Sequence, residues 1–249
     1  MKRPALHVAS VVALAMAGTA CWTPIGPASA AEQGRLEVRP SSPTIATEPG
    51  EHRLGLQGPR DATLYIPKSA AARRESPLLV MLHGAGGSLQ TVRFVFPVAE
   101  EIGVVVLVPE SRGPTWDAVR DTFGPDVAFI DLALRATFQR VGIDRQRLAL
   151  GGFSDGASYA LSLGLANGDL FTHILAFSPG FIVPAPPAGH PPIFLSHGRQ
   201  DQILPIDRTS RRLVPRLREA GYTVTFREFD GPHRVPDAIA REALEWLAR

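Results

Sequence analysis

The residues around Ser154 have the pattern that nucleophilic catalysis requires of a serine. Gly152-Phe153-Ser154-Asp155-Gly156 follows an apolar run at residues 148–150 and precedes a helix-like stretch at 157–165. In that context a GxSxG sequence predicts a strained strand-to-helix turn, because its glycines leave room for the turn and expose the serine hydroxyl. Glycine and serine are also common in ordinary turns, so the pentapeptide indicates chemistry only together with partners elsewhere in the chain.

A second segment has the composition of an oxyanion hole. His83-Gly84-Ala85-Gly86-Gly87 comes directly after an apolar run at residues 78–82. A flexible backbone at that place can direct amide N–H groups at the negative oxygen that develops during acyl transfer. We predict the backbone N–H groups of Ala85 and Asp155 as the donor pair. The alternatives are a plain glycine-rich turn and a phosphate loop, and the latter is disfavoured because no Gly-Lys-Ser/Thr sequence follows.

A serine nucleophile needs a base that takes its proton and an acid that holds the base. Where the serine lies on a strand-to-helix turn, the acid and the histidine follow it in that order, each in a loop after a strand. Asp201 comes just beyond an apolar run at residues 193–195, and His233 lies between the last predicted strand and the last predicted helix. We therefore predict Ser154, Asp201 and His233 as a catalytic triad.

Other acids and histidines fit these roles less well. Asp207 and Asp230 are the alternative acids, but Asp207 is predicted to begin a helix and Asp230 is three residues from His233. His83 and His197 are expected to orient their own loops. The other histidines fall in the predicted export signal or precede Asp201; they are His7, His52, His173 and His190. Because the chain has no His-Glu-x-x-His spacing and no cysteine pair, we expect no metal and no other cofactor.

The elements that must position these residues alternate between strands and helices. Five apolar runs without polar alternation are typical of strands buried on both faces; they are residues 78–82, 104–108, 148–150, 174–177 and 193–195. Helical spacing is clearest at residues 127–141, before Gly142. Residues 62–66 predict an antiparallel edge strand, 223–229 a last strand and 238–247 a last helix. This order predicts an α/β fold with a mostly parallel sheet and helices on both faces.

The N-terminus has the features of an export signal. Lys2 and Arg3 precede a short apolar stretch at residues 8–17, and Ala28-Ser29-Ala30 fits a cleavage site between small residues. The apolar stretch is shorter than the roughly 20 residues that a membrane-spanning helix needs. We predict a cleaved signal at residues 1–30, a single catalytic domain at 31–249, and secretion or export to the periplasm. A lipid-modified Cys21 is the less favoured alternative.

The charge balance disfavours two classes of partner. The chain has 26 basic and 24 acidic residues, and removal of Lys2 and Arg3 leaves 24 of each. A neutral chain lacks the basic excess that nucleic acid or an anionic membrane requires, so we expect neither, and no membrane insertion once the signal is removed. The only lysines are Lys2 and Lys68, a bias toward arginine that is typical of GC-rich bacterial genomes. We expect a monomer or a weak dimer.

From about Asp61 to Arg249 the chain resembles the phospholipase/carboxylesterase branch of the α/β-hydrolases, and it is similar to secreted esterases of the polyhydroxybutyrate depolymerase type. The segments that carry the resemblance are residues 82–87, 111–117, 152–157, 196–201 and 231–233. The resemblance implies the α/β-hydrolase fold, the triad and the oxyanion donors predicted above. Asp155 stands where acyl-thioesterase members have glutamine, which weakens any transfer of acyl-protein thioesterase activity.

The interval after the fourth apolar run predicts an open site. Lipases of this fold often insert a helical cap there, but residues 180–192 include five prolines, which do not supply the N–H groups of a helix interior. Trp116 is predicted to form a wall of the substrate pocket; the alternative is that it packs at the end of the sheet. An uncapped site favours soluble esters or the chain end of a polymer over interfacial lipolysis.

The function predicted from the sequence is a secreted serine carboxylesterase that acts through an acyl-enzyme. Its partner is a small-molecule or short polymeric ester, with small or medium acyl groups first and aryl esters and short polyesters next. The alternatives are a polyester depolymerase, or a peptidase or acyltransferase that uses the same triad, since this machinery serves any acyl donor. A non-catalytic binding protein is the least favoured hypothesis because no triad member is missing from the sequence.

Overall fold

The computed structural model describes residues 28–56, 58–71 and 73–249, and within them eight strands form one sheet. The strands are β1 (Gly50–Arg53), β2 (Ala62–Ile66), β3 (Ser76–Leu82), β4 (Val105–Pro109), β5 (Ile143–Phe153), β6 (His173–Phe177), β7 (Ile193–Gly198) and β8 (Val224–Phe229). Their order across the sheet is β1-β2-β4-β3-β5-β6-β7-β8. β2 runs antiparallel to β1 and β4, and every other neighbouring pair is parallel.

Helices follow most of the strands. They are α1 (Lys68–Ala71), α2 (Leu89–Val92), α3 (Phe96–Ile102), α4 (Asp117–Arg120), α5 (Pro125–Phe138), α6 (Asp155–Ala166), α7 (Ser210–Glu219) and α8 (Asp237–Ala248), with short 3-10 turns at Arg93–Val95 and Ile206–Arg208. α5 begins with Pro125, whose fixed φ and missing N–H suit the first helical position. α3 is followed by Gly103, which adopts the left-handed conformation common after a helix.

The core has a layer on each face of the sheet. Leu78, Val80 and Leu82 of β3 pack in one layer with residues of α5 and α6. Leu79 and Met81, which point the other way, pack with residues of α3 and α8. A third cluster joins α6 and α7 to β6 and β7. Because both faces of the central strands are covered, each of these strands contains an apolar run without polar alternation.

The predicted α/β fold is confirmed, and each of the five apolar runs lies in a parallel strand. The prediction missed β1, because this edge strand alternates between half-buried and exposed residues and has no apolar run. β5 also begins five residues earlier than expected, since its first part is polar. In the described part of the chain no helix or strand lies between Phe177 and Ile193, so no cap covers the site there.

No helix among the described residues is long and apolar enough to cross a membrane. The predicted signal at residues 1–30 lies almost entirely outside the described residues, which begin at Ala28.

Candidate active site

Ser154 lies on a sharp turn between β5 and α6. Its φ of 59° and ψ of −121° place a non-glycine residue in a conformation that is normally strained. A Cβ atom at Gly152 would lie 2.2 Å from the Gly156 carbonyl oxygen, and one at Gly156 would lie 2.3 Å from the Leu82 carbonyl oxygen. The turn therefore requires both glycines. The Ser154 N–H donates to the Phe177 carbonyl at 2.9 Å, which ties the turn to β6.

The structure brings Ser154, His233 and Asp201 together in one hydrogen-bonded chain. The Ser154 Oγ lies 2.9 Å from His233 Nε2, and His233 Nδ1 lies 2.5 Å from Asp201 Oδ2. A carboxylate only accepts, so Nδ1 carries the imidazole proton and Nε2 is left to accept from the serine hydroxyl. The Phe153 ring lies 4.7 Å from the imidazole, centroid to centroid, and limits its rotation.

Asp201 is held by contacts on both of its oxygens. Its Oδ1 accepts from the backbone N–H of Ile203 at 2.9 Å and of Leu204 at 2.8 Å. His197, fully buried, places Nε2 2.7 Å from the Leu204 carbonyl and 3.2 Å from Asp201 Oδ2. Because the Leu204 carbonyl and the Asp201 carboxylate only accept, Nε2 carries the ring proton, and Nδ1 accepts from the Ser210 hydroxyl at 2.6 Å. The carboxylate is thus oriented before any substrate arrives.

His197 is a contact that sequence reasoning missed, although the histidine was expected to orient its own loop. Burial lowers the pKa of His197, so the ring is neutral at neutral pH and acts as a hydrogen-bond donor rather than a cation. The only sequence signal was the four-residue spacing between His197 and Asp201.

The glycine-rich loop after β3 lies against Ser154. A Cβ atom at Gly84 would lie 3.2 Å from Ser154 Cβ. Buried His83 holds the loop, since its Nδ1–H donates to the Gly84 carbonyl at 2.7 Å and its Nε2 accepts from the Ser111 N–H at 3.1 Å. Burial lowers the pKa of His83, which keeps the ring neutral and Nε2 free to accept.

The two predicted oxyanion donors belong to segments that lie next to Ser154. Ala85 belongs to the loop beside Ser154, and Asp155 is the first residue of α6, at the positive end of the helix dipole. Within the described residues, the backbone N–H groups of Ala85 and Asp155 donate no hydrogen bond. The Asp155 carboxylate accepts from the Thr115 hydroxyl at 2.8 Å, so its side chain turns toward the neighbouring loop.

The structure contradicts the predicted pocket wall at Trp116. The side chain is fully buried, at 0% exposure, and cannot contact a ligand. Its indole N–H donates to the His83 carbonyl at 2.8 Å, and its rings lie against His83 and Tyr159. An indole is largely apolar and has one N–H donor, so it can be buried once that donor has a partner. Trp116 thus follows the alternative interpretation, in which it packs inside the protein and does not form a wall of the substrate pocket. Trp116 therefore packs against the glycine-rich loop after β3.

Two aspartates, buried Asp126 and partly buried Asp117, fix the loop that carries Thr115. Asp126 accepts from the N–H of Arg112 at 2.5 Å and of Asp117 at 2.7 Å. Asp117 in turn accepts from the Asp126 N–H at 2.8 Å and from the Tyr159 hydroxyl at 2.8 Å. Burial raises the pKa of Asp126 to about 6. Sequence reasoning missed this pair, because both acids resemble ordinary residues at helix starts.

The alternative acids lie elsewhere. Asp207 and Asp230 are each 76% exposed at the side chain and pair with Arg211 and Arg199, respectively. Among the described residues neither contacts His233, and no group of three or more His, Cys, Asp or Glu side chains is arranged to hold a metal ion.

The arrangement around Ser154 offers a serine hydroxyl hydrogen-bonded to a base, a buried acid behind that base, and free N–H groups beside the serine. Such a set can attack a carbonyl carbon and stabilise the resulting oxyanion.

Comparison with known proteins points to one family. Residues 69–248, more than half of the chain, match the family described as Phospholipase/Carboxylesterase. A protein named probable feruloyl esterase C from Aspergillus flavus is 27% identical over 175 residues, which cover 66% of this chain and 62% of that protein. The chain thus spans less than two thirds of that relative's length. Acyl-protein thioesterase 1 from Gibberella zeae is 24% identical over 211 residues, which cover 69% of this chain and 88% of that protein.

Solved structures share the fold at lower identity. The fluorophosphonate-binding serine hydrolase FphF of Staphylococcus aureus superposes with a TM-score of 0.62 at 15% identity, covering 81% of this chain and 100% of that one. Esterase PE8 superposes with a TM-score of 0.60 at 23% identity, covering 74% and 95%.

Proposed function

The chain belongs to the phospholipase/carboxylesterase family of α/β-hydrolases and is a serine hydrolase acting on ester bonds, and from this premise we propose that it is an exported carboxylesterase with Ser154 as nucleophile. The observation that carries the proposal is the continuous hydrogen-bond chain from Asp201 through His233 to Ser154. The histidine lies within hydrogen-bonding distance of both the serine and the aspartate, which acyl transfer by serine requires.

The mechanism follows from this geometry. His233 Nε2 takes the Ser154 proton as the serine oxygen attacks the ester carbonyl, and Asp201 stabilises the imidazolium. The N–H groups of Ala85 and Asp155 bind the oxyanion, and each such donor contributes about 2.7 to 4 kcal/mol in the transition state. His233 then protonates the departing alcohol. Water, activated by the same histidine, releases the acid from the acyl-enzyme and restores the serine.

The open site favours soluble esters of small or medium acids. No helix covers the carboxyl end of β6 within the described residues, and the loop between β6 and β7 leaves the site accessible. The likeness to a protein named as a feruloyl esterase favours aryl-substituted acyl groups as the first alternative. Short polyesters are the second. Thioesterase activity is less favoured, because Asp155 stands in place of glutamine and is bonded to Thr115.

A pair of variants tests the nucleophile. We would express the full chain, purify the recovered protein, and measure hydrolysis of p-nitrophenyl butyrate and methyl ferulate by the parent and by Ser154→Ala. The expected loss in kcat is about 10³-fold or more, since only the oxyanion donors remain. Ser42→Ala, at an exposed position, is the matched control and should retain full activity. Equal activity of parent and Ser154→Ala would place the nucleophile elsewhere.

Ester hydrolysis, acyl transfer to an alcohol and peptide cleavage all pass through the same acyl-enzyme. The triad therefore does not distinguish these activities, and the products must be analysed. With an added alcohol acceptor, a hydrolase releases free acid, whereas an acyltransferase yields the new ester in preference to acid. If the folded parent cleaves no ester, thioester or peptide, the non-catalytic binding protein is the remaining hypothesis.

We propose export on the N-terminal pattern and on the exposure of Ala28 and Ser29 at the predicted cleavage site. Fractionation of expressing bacteria followed by N-terminal sequencing tests this. A mature chain that begins at Ala31 in the periplasm or the medium is the expected result; a cytoplasmic chain that keeps Lys2 and Arg3 would refute it.

A further inference from the structure

We propose that a groove beside the triad binds the far end of an elongated substrate, an apolar chain that ends in a carboxylate. The inference rests on the proposed esterase function and names a substrate class for it. The groove has a volume of about 550 Å³ and lies between the loop at residues 180–187 and helix α7. Its lining does not include Ser154 or His233, so it is a second site rather than the catalytic centre.

One wall of the groove carries three arginines. Arg208 precedes α7, and Arg212 and Arg216 follow at helical i, i+4 spacing, so that all three line the same cavity. In the described part of the chain no carboxylate lies within salt-bridge distance of any of them, and all three are exposed. Like charges at this spacing destabilise a helix. Arg211, one residue away, instead pairs with Asp207 and Glu228.

The other wall is apolar. Phe181 is 38% exposed, an unusual fraction for so large a hydrophobic side chain, and Ile182 and Val183 continue the surface. Leu213 and Tyr222 face the groove from the α7 side. Exposed apolar surface in a cleft with a few converging charged groups is typical of a ligand site. An apolar chain with an anionic end satisfies both walls, and guanidinium groups bind carboxylates in paired hydrogen bonds.

The near end of the groove is joined to the catalytic residues. The Gly180 N–H donates to the Ser158 hydroxyl at 2.9 Å, and Ser158 lies one helical turn after Ser154, to whose carbonyl it is bonded. Gly180 also lies close to the Leu204 side chain, from which its Cβ atom would be 3.3 Å away, and the Leu204 N–H donates to Asp201. Gly180, which lines the groove, therefore lies next to residues that hold the triad, and the proposal places the acyl chain of the substrate over this residue on its way to the arginines.

The test compares charged and neutral esters of matched length. The charged series comprises mono-p-nitrophenyl esters of dicarboxylic acids from succinate to sebacate, and the neutral series the corresponding fatty acyl esters. We expect kcat/KM for one of the longer charged esters to exceed that of its neutral partner about 10-fold, the order that two or three exposed ion pairs supply. The advantage should shrink with added NaCl because these charges are exposed.

Arg212→Glu should abolish this preference and the milder Arg212→Gln should reduce it about two- to threefold, and both should leave kcat/KM for neutral esters within about twofold. Arg74→Glu makes the same charge change at an exposed position before the amino end of β3 and outside the lining of the groove, and should keep the preference. A second measurement avoids catalysis altogether: sebacic acid monomethyl ester should bind to Ser154→Ala by calorimetry and lose about 10-fold affinity when Arg212→Glu is added.

Several results would overturn the inference while leaving the esterase proposal intact. These are equal kcat/KM for charged and neutral esters at every length, a preference that survives Arg212→Glu, or a gain with long neutral esters alone. Concentration-dependent dimerisation abolished by Arg212→Glu would assign the groove to a second copy of the chain instead. If the parent hydrolyses none of the esters, the esterase proposal is refuted. Calorimetry would then show independently whether the groove binds the charged ligand.

Discussion

Asp201→Asn tests the triad sharply, because the structure dictates how the new amide must lie. Oδ1 of Asp201 accepts from two backbone N–H groups, those of Ile203 and Leu204. The asparagine oxygen must take this place, since the opposite orientation would set an NH₂ group against two donors, at about 1 to 3 kcal/mol for each buried group left unpaired. The NH₂ group then occupies the Oδ2 position, 2.5 Å from His233 Nδ1 in the parent.

An NH₂ group at that position reverses the tautomer of His233. Nδ1 must accept, the ring proton moves to Nε2, and Nε2 can no longer take the proton of Ser154. The Nε2–H of His197, 3.2 Å from Oδ2 in the parent, would also face a donor. We expect kcat to fall about 10⁴-fold, equivalent to about 5 kcal/mol, with a smaller effect on KM.

The assay is steady-state hydrolysis of p-nitrophenyl butyrate, with thermal unfolding to show that the variant is folded. Asp207→Asn is the matched control, because Asp207 is exposed and pairs with Arg211, and it should keep full activity. An Asp201→Asn variant that retains more than a tenth of the parental kcat would refute the reasoning, and a large loss in Asp207→Asn would shift the acid to that residue.

Two predictions concern the surroundings of the site. Gly156→Ala should lower the free energy of unfolding by about 1 to 3 kcal/mol in urea titrations and lower kcat, because its Cβ would lie 2.3 Å from the Leu82 carbonyl oxygen and 2.5 Å from that of His83. Gly113→Ala, where the nearest atom would be 3.5 Å away, should cost little, and equal losses at both positions would contradict the argument. The pKa of Asp126, raised to about 6, means that the folded state holds this proton more tightly than the unfolded chain, so its contribution to stability is complete below about pH 4 and lost as the pH rises through 6. The stability of the parent relative to Asp126→Asn should therefore fall by about 2 kcal/mol between pH 4 and pH 7, and a difference that does not change with pH would count against it.

Much of the fold can be predicted from the sequence. An apolar run such as residues 78–82 or 193–195 predicts a buried strand, because hydrophobic periodicity is a local property and both faces of these strands are covered. The strand-to-helix turn at Ser154 was predictable for the same reason, since its glycines and the flanking elements are contiguous. β1 was not, because an edge strand with no buried face has no local signal.

Contacts between distant residues depend on the path of the whole chain. His233 is 79 residues from Ser154 and 32 from Asp201, so the order of the elements could suggest the set but not the hydrogen bonds. The burial of Trp116 against His83, the histidine behind Asp201 and the arginine groove beside α7 are likewise absent from any local pattern. Composition and periodicity report which side chains leave water, whereas the neighbours each one meets are set by how the loops at one edge of the sheet pack together.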